Sequence, residues 1–384
     1  MCRSRQRPCR KHSVDNAVAT PATPAASAAP PVAARPKAES PLRYPIEPPP
    51  SDGSLVEIAL GLMWARIPMP MSLDHINCYL LRDRYEGRDG WAVVDTGLGI
   101  PRTHEVWKRI FGETLAGQPM TRLICTHCHY DHAGAARWMQ ERFGVPLLMT
   151  FGEFMMLRGV MGPPPDPLPE THRAFYHRAG VSDEQLESMV GAMRKDPFMP
   201  QAPFSYQRMR AGDVLQIGER EWQVIVGEGH SPEHACLYNA RDGILIAGDQ
   251  LLPRITSNVM VSPIEPEGSP LTVWLESTLR LAELPADTLV LPSHQGVFLG
   301  VRERAHEVVA HHEQQFDLIR AHLASVPSAS AWELMKVLFT RLRSPVDHLM
   351  ALGETIAHLN HLRAAGELQR SSGTDNIDAY ARAV

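Results

Sequence analysis

The sequence predicts an α/β protein, and two patterns carry that prediction. Between residues 54 and 300, short apolar runs of strand length alternate with longer amphipathic segments of helical length. Four of the apolar runs, ending near residues 125, 226, 247 and 291, lead into loops that are marked by Gly or Pro and carry His or Asp. The pattern therefore predicts a layered α/β domain whose functional side chains lie in the loops after its strands.

Length and composition limit the class of protein. A chain of 384 residues accommodates one large domain, a smaller one and tails, and 44% hydrophobic residues are enough for a core. The net charge of −5 gives no general attraction for nucleic acid or anionic membrane. No apolar run reaches the length of about eighteen residues that a membrane-spanning helix needs. The six cysteines have no disulfide-like spacing, which indicates a reducing, cytoplasmic location.

The N-terminal segment, residues 1–53, is predicted to be a disordered leader rich in Ala and Pro. Its start is basic, but no apolar segment follows, so it is not a secretory signal peptide. An organelle-targeting role and a start codon placed too early both remain open.

Strands and helices are then expected in alternation from residue 54 onwards. Strands are predicted at 56–60, 77–82, 90–97, 122–125 and 145–150, helices at 102–115 and 133–143, and a hairpin over 213–217 and 221–226. These elements are predicted to form one large domain that spans residues 54–300.

Residues 151–210 interrupt this alternation of strands and helices. They are predicted to form a mostly helical cap over the loops that carry the functional side chains. A capping-box pattern at residues 182–185 indicates the start of a helix. The methionines that the insertion holds include Met155, Met156, Met161, Met189, Met193 and Met199. Flexible thioether side chains could line a pocket for an acyl chain, or they could equally fill gaps in the core.

The stretch T-H-C-H-Y-D-H-A-G at residues 126–134 gathers three imidazoles and one carboxylate. His127 and His129 are two positions apart, so in an extended chain they project to the same side and can chelate one ion. Asp131 and His132 lie at the start of the next helix and can face a second ion. Neutral imidazole and carboxylate are suitable ligands for zinc and its first-row neighbours. The stretch therefore predicts a metal site.

The pattern H-x-H-x-D-H resembles the signature of the metallo-β-lactamase superfamily, which includes glyoxalase II, lactonases, β-lactamases and several nucleases. Further motifs follow in the order that the resemblance implies: G-H-S-P-E-H at 229–234, G-D at 248–249, and a His at 294 after a strand. The resemblance covers about residues 54–370 and implies an αββα sandwich. The sequence is similar in particular to the glyoxalase II-like and lactamase-β-2-like branch of the superfamily, whose members carry a C-terminal winged-helix-like appendage.

Carried over residue by residue, the resemblance implies a site for two divalent ions. It assigns the first ion to His127, His129 and His230, the second to Asp131, His132 and His294, and a bridging carboxylate to Asp249. Asp95, in an Asp-Thr-Gly turn, would support a metal-bound imidazole, and His234 would support the site from outside the ligand set. For both, a purely structural role in a turn stays open. Zinc is expected, and this all-N/O ligand set is also compatible with iron or manganese.

The chemistry expected of such a site is hydrolysis. Two ions lower the pKa of a shared water towards neutrality and stabilise the developing oxyanion, so that hydroxide is the nucleophile. Asp131 is predicted to be catalytic, orienting the hydroxide and moving its proton. Cys128 is expected to be packed rather than catalytic.

The C-terminal part is predicted to contain a connecting helix at 301–327, a winged-helix-like domain at 328–371 and a tail at 372–384. The histidines of the connecting helix, His306, His311, His312 and His322, are interpreted as surface or packing residues, because no carboxylate or histidine network is evident around His311 and His312. Residues 330–370 contain five basic and four acidic residues, a weak electrostatic attraction for RNA. A packing or dimerisation role is favoured for this domain.

These observations predict a dinuclear hydrolase of acyl thioesters or esters that resembles hydroxyacylglutathione hydrolases. The basic residues that bind glutathione in true glyoxalase II cannot be located by motif. A single-strand endoribonuclease, a lactonase and a metal-stabilised binding module are the alternatives. β-Lactam hydrolysis is not favoured, because the chain lacks a secretory signal. The expected partner is a small acyl substrate; nucleic acid is not favoured, a membrane is not expected, and homodimerisation stays open.

Overall fold

Two β-sheets packed face to face form the centre of the computed structural model, which describes residues 41–159, 161–195, 198, 201–373 and 375–383. The first sheet has its strands in chain order: β1 (Leu55–Ala59), β2 (Leu62–Pro68), β3 (His75–Tyr85), β4 (Arg88–Val94), β5 (Met120–Ile124), β6 (Leu147–Met149) and β7 (Gln207–Arg208). Strands β1 to β4 pair antiparallel, whereas β4 to β7 pair parallel. Strand β2 was not predicted from the sequence.

The second sheet has the order β13-β12-β11-β10-β9-β8. Its strands are β8 (Val214–Ile217), β9 (Arg220–Gly227), β10 (His234–Asn239), β11 (Ile244–Gly248), β12 (Leu289–Pro292) and β13 (Phe298–Leu299). Strands β8 to β11 pair antiparallel, which includes the predicted hairpin. Strands β11 and β12 pair parallel, and helix α7 (Pro270–Leu281) connects them.

Helices cover the outer faces of both sheets. Before the second sheet they are α1 (Pro101–Arg109), which continues into a π-helical turn (Ile110–Thr114), α2 (Tyr130–Ala133), α3 (Ala136–Phe143), α4 (Phe151–Gly159), α5 (Glu170–Arg178) and α6 (Asp183–Arg194). After α7 they are α8 (Val301–Ser325), α9 (Ala331–Leu338) and α10 (Pro345–Ala364).

Three apolar clusters hold the layers together. Trp64 and Tyr79 of the first sheet share the central cluster with Trp222 and Leu237 of the second. A second cluster joins the first sheet to α1, α3 and α4, and a third joins the second sheet to α5 to α10. The helix–sheet–sheet–helix order is the αββα sandwich that the resemblance implied, and the predicted fold class is confirmed.

A buried ion pair also links the two sheets. Arg122 of β5 donates to both carboxylate oxygens of Asp83 on β3, at 3.0 and 2.8 Å. The backbone N–H of Gly218, in the turn between β8 and β9 of the other sheet, donates to the same carboxylate at 3.1 Å.

The ends of the chain differ from the sequence-based boundaries. Leu42 is buried in a core cluster and Arg43 pairs with Leu299, so the ordered chain begins earlier than residue 54. Residues 1–40 of the predicted leader lie outside the described part. The predicted tail carries strand β15 (Asp378–Arg382), which pairs with β14 (Leu368–Ser372). The winged-helix character of residues 328–371 stays a prediction.

The insertion at 151–210 contains α4 to α6, and the predicted capping box of Ser182 and Gln185 is present. The methionines that the structure describes there do not share one core. Met189 is buried with the C-terminal helices, whereas Met156 and Met161 pack against the cluster beneath the first sheet. They therefore do not form one shared lining; Met199 lies outside the described residues. Among the helices described here, none is long and apolar enough to cross a membrane.

Candidate metal centre

The T-H-C-H-Y-D-H stretch lies between the end of β5 and the start of α2. Asp95, just after β4, holds this loop from behind. Its carboxylate accepts hydrogen bonds from the backbone N–H of Thr126 at 2.8 Å and from Nδ1 of His132 at 2.9 Å. Asp95 has a φ of +63°, a conformation that Asp and Asn tolerate better than most residues. Because β4 and β5 are parallel neighbours, the two loops emerge side by side.

The first group of ligand-type side chains contains His127, His129 and His230. Nε2 of His127 lies 2.9 Å from Nδ1 of His129 and 3.3 Å from Nε2 of His230. Burial lowers the pKa of His127 well below its usual value and that of His129 to about 3. A single proton on His127 Nε2 can serve only one of these close contacts, whereas three neutral nitrogens around one cation satisfy all of them.

The second group contains Asp131, His132 and His294. Oδ2 of Asp131 lies 3.6 Å from Nε2 of His132 and 3.3 Å from Nε2 of His294. Burial alone would lower the pKa of both histidines, but the neighbouring carboxylates outweigh it and raise them. Burial acts against ionisation of Asp131, yet the two imidazoles lower its pKa to about 2. The negative potential that these carboxylates produce favours a cation at this point.

Asp249 lies between the two groups, at the end of β11. Its Oδ2 is 3.5 Å from Nε2 of both His132 and His230, and its Oδ1 is 3.5 Å from Nε2 of His294. Oδ1 of Asp249 and Nε2 of His132 are buried and have no hydrogen-bond partner among the described residues. Buried polar atoms of this kind normally have partners, and two cations beside Asp249 would supply them. The donor set therefore fits divalent metal ions.

The outer nitrogens of three histidines are fixed by hydrogen bonds. Nδ1 of His230 donates to the carbonyl of Asn258 at 2.7 Å, and Nδ1 of His294 donates to the carbonyl of His75 at 3.0 Å. His132 donates from Nδ1 to Asp95. Each bond leaves Nε2 with its lone pair directed into the centre, as metal-ligating histidines require. Asn258 and His75 were missed by the sequence reasoning, because a backbone carbonyl leaves no residue-type signal.

Glu153 of α4 was also missed. Its carboxylate accepts from the backbone N–H of Cys128 at 2.9 Å and from that of Glu233 at 2.7 Å. It therefore joins the loop of His127 to the loop of His230. Burial raises the pKa of Glu153. A glutamate inside an expected helix resembles any surface residue in the sequence, and only its complete burial distinguishes it.

The remaining predicted residues take supporting positions. Nε2 of His234 accepts a hydrogen bond from the backbone N–H of Asp249 at 3.0 Å, which fits its expected place outside the ligand set. Cys128 is buried and burial raises the pKa of its thiol, so it is packed as expected. Tyr130 is half-buried and its ring lies 6.4 Å from that of Phe198, so the insertion reaches the metal loop.

One expectation is wrong in part. His312 is neither a surface residue nor isolated, because it lies buried beside Glu354 and His358. His312 and His358 are 46 positions apart in the sequence, so their proximity was not visible from spacing.

Comparison with known proteins places this geometry in a family. A sequence profile described as the metallo-beta-lactamase superfamily matches residues 71–294, the part of the chain that contains Asp249 and the two groups of ligand-type residues around it. The chain belongs to the metallo-beta-lactamase superfamily. Members of this superfamily are hydrolases and use divalent metal ions. A second profile, the metallo-beta-lactamase-like C-terminal domain, matches residues 317–383, so the C-terminal helices and hairpin are also shared with superfamily proteins.

A solved superfamily structure agrees over most of the chain. The crystal structure of a beta-lactamase domain protein from Burkholderia ambifaria is 41% identical, covers 89% of this chain and 98% of its own, and superposes with a TM-score of 0.82. A probable metallo-hydrolase of Bacillus subtilis is 23% identical and covers 78% of this chain and 91% of its own length. A hydroxyacylglutathione hydrolase of Maricaulis maris is 29% identical over 127 residues; the match spans 46% of that enzyme.

Proposed function

We propose that this protein is a dinuclear metal-dependent hydrolase that cleaves an acyl thioester or ester, in the manner of hydroxyacylglutathione hydrolases. One observation carries the proposal: Asp249 lies within 3.5 Å of histidines from both ligand groups. A carboxylate in that position can bridge two cations, which is the arrangement of two-metal hydrolytic sites.

The proposed ligands divide into two sets that share Asp249. The first ion would be held by His127, His129 and His230, and the second by Asp131, His132 and His294. The oxygen and nitrogen donors suit zinc, and also iron or manganese. When bound, the ions would supply hydroxide at neutral pH and positive charge beside a developing oxyanion.

Asp131 is the proposed catalytic group. It is the one carboxylate of the second set, and Nε2 of His294 lies 3.3 Å from its Oδ2. As a carboxylate it can orient a nucleophile by accepting its hydrogen bond and can shuttle its proton. Asp95 and Glu153 hold the loops that carry these ligands, and thereby orient the ligand side chains.

An acyl substrate is supported by the relatives. Hydroxyacylglutathione hydrolases recur among the relatives, with matches of 46% and 67% of their lengths for two of them.

The charge of the C-terminal helices gives little support to the ribonuclease alternative. Arg363 and Arg370 form ion pairs with Glu267, at 3.3 and 2.8 Å, and Arg320 pairs with Glu367 at 2.8 Å. Cations that are already paired contribute less to phosphate binding than free ones, because binding must first break those pairs.

A side-by-side turnover assay of zinc-reconstituted protein tests the proposal. One arm uses a panel of acyl thioesters, esters and lactones, and the other uses labelled single-stranded RNA. We expect metal-dependent thioester or ester cleavage that falls by at least about a hundredfold in Asp131→Ala. The exposed Asp287 provides a matched control, and Asp287→Ala should retain the wild-type rate.

The outcomes separate the alternatives. Cleavage of RNA alone would replace the proposal with the endoribonuclease, and cleavage of lactones alone would favour a lactonase. A protein that binds two ions and turns over none of these substrates would be a metal-stabilised binding module.

A further inference from the structure

A second cluster of ligand-type side chains lies outside the candidate metal centre, between helices α8 and α10. His312 of α8 and Glu354 and His358 of α10 each offer one ligand atom, and the three atoms lie within 4.8 Å of one another. Glu354 and His358 are four positions apart on one helix, which places their side chains on the same face. We refer to these three residues as the buried triad.

The hydrogen bonds of His358 prepare its inner nitrogen for a cation. Its Nδ1 donates to the backbone carbonyl of Glu354 at 2.7 Å, so Nε2 carries the lone pair. His230 and His294 have the same arrangement in the candidate metal centre, where Nδ1 donates to a carbonyl and Nε2 points inward. Fixing a tautomer through a carbonyl is usual for metal-ligating histidines.

The two imidazoles of the triad face each other at ligand-to-ligand distance. Nε2 of His358 lies 3.0 Å from Nδ1 of His312, close to the 2.9 Å between His127 and His129. Burial lowers the pKa of His312 to about 2 and that of His358 to about 4, so both are neutral at physiological pH, as metal ligands must be.

Glu354 supplies the carboxyl group of the triad. Its carboxylate accepts a hydrogen bond from the side-chain amide of Asn258 at 2.7 Å. Within the described part of the chain, no Lys or Arg forms an ion pair with it, and burial raises its pKa to about 7. A buried carboxylate without a cationic partner is unfavourable, and a divalent ion beside it removes that penalty.

We propose that the buried triad is a third metal site, separate from the dinuclear centre, that binds one divalent ion of the zinc class. Two neutral imidazoles and a carboxylate are the His₂Glu donor set that zinc accepts, with a fourth position left for water. The ion would fasten α8 to α10. Through Asn258, whose carbonyl fixes His230, it would also support one ligand of the dinuclear centre.

Anomalous diffraction at the zinc absorption edge, on crystals of the wild-type chain grown with zinc, tests the proposal directly. We expect a peak between His312, Glu354 and His358 in addition to density at the dinuclear centre. Peaks at the dinuclear centre with none at the triad would overturn the proposal, and the two imidazoles would then be joined by an ordinary hydrogen bond. The reverse result would keep the third site and argue against the proposed hydrolase, so the two proposals fail separately.

Metal analysis of the purified chain gives a second readout. In His358→Gln and Glu354→Gln the zinc content should fall by about one ion per chain, whereas His311→Ala, which changes the neighbouring histidine outside the triad, should leave it unchanged. Unchanged zinc in folded His358→Gln and Glu354→Gln proteins would contradict the proposal. Circular dichroism establishes folding in each case.

Discussion

The carboxylate of Glu153 accepts a hydrogen bond from the backbone N–H of Cys128, the residue between His127 and His129. Its other oxygen accepts from the backbone N–H of Glu233, in the loop that follows His230. One buried side chain of α4 thus sets the distance between two loops that supply three ligand-type histidines. This contact makes Glu153 a positioning residue, because it acts through the loops rather than on a substrate.

Replacing Glu153 with Gln should therefore loosen the first metal position. The amide can accept only one of the two backbone hydrogen bonds, and leaving the other N–H unpaired in a buried place costs about 1–3 kcal/mol. We expect a lower melting temperature and weaker zinc retention during titration with a chelator. The exposed Glu141, on α3, provides the control, and Glu141→Gln should behave as wild type in both measurements.

If Glu153→Gln lost its zinc only at the chelator concentration that the wild-type protein requires, other contacts would be holding the two loops.

Much of this fold could be predicted because its signals are local. The strand ends before His127, Asp249 and His294 are short apolar runs that stop at polar loops, and the structure places them as expected. Strand β2 was missed because only two residues, Leu60 and Gly61, separate it from β1, so no longer loop marks where it begins. The burial of Glu153 depends on packing between distant segments, which no local pattern records.

Asp95→Asn should weaken the second metal position without straining the backbone. Asn tolerates the φ of +63° at this position, so the substitution removes charge and one acceptor while the turn is preserved. His132 then loses the carboxylate that orients its ring, and loss of such a partner typically lowers metal affinity about 10–100-fold. Competition with a chromogenic chelator measures the change. Unaltered affinity would mean that Thr126 and the loop hold His132 without Asp95.

Gly248→Ala should displace Asp249. Its effect on stability and zinc content should exceed the cost of placing a side chain at a positive φ. Gly248 has a φ of +56°, and a Cβ there would lie 2.4 Å from the ring of His234, which accepts the N–H of Asp249. Gly243 has a φ of +63° with open space around it, so Gly243→Ala is a matched control for backbone strain, at about 1–2 kcal/mol. Denaturant unfolding and zinc content should both be lower for Gly248→Ala. Equal effects of the two substitutions would show that the contact with His234 contributes nothing to the loss.

The buried triad should make the chain sensitive to acid. Burial lowers the pKa of His358 from its usual value near 6.5 to about 4, so its neutral form is favoured in the folded state. The contribution of His358 to the free energy of unfolding is therefore complete above pH 6.5. It is lost as the pH falls towards 4, at roughly 1.4 kcal/mol for each pH unit. His358→Gln should flatten this part of the unfolding profile, measured with chelator present. A wild-type slope in the variant would contradict the prediction.

Asp83→Asn should reduce stability without affecting metal binding. It leaves the guanidinium of Arg122 buried without its charged partner, which typically costs about 3–5 kcal/mol. Zinc content should stay at the wild-type value in protein that is still folded, because Asp83 contacts no ligand loop. The exposed Asp89→Asn is the control. Loss of zinc from folded Asp83→Asn would show that the spacing of the sheets sets the geometry of the centre.

The candidate ligands come from both sheets, and His127 and His230 are 103 positions apart in the chain. Translation adds about 5–20 residues per second, so a growing chain presents His127 and His129 for roughly 5 to 20 seconds before His230 has been added. Asp249 and His294 follow later still. The complete set exists only when the second half has left the ribosome and folded onto the first, which makes metal acquisition a late event in biosynthesis.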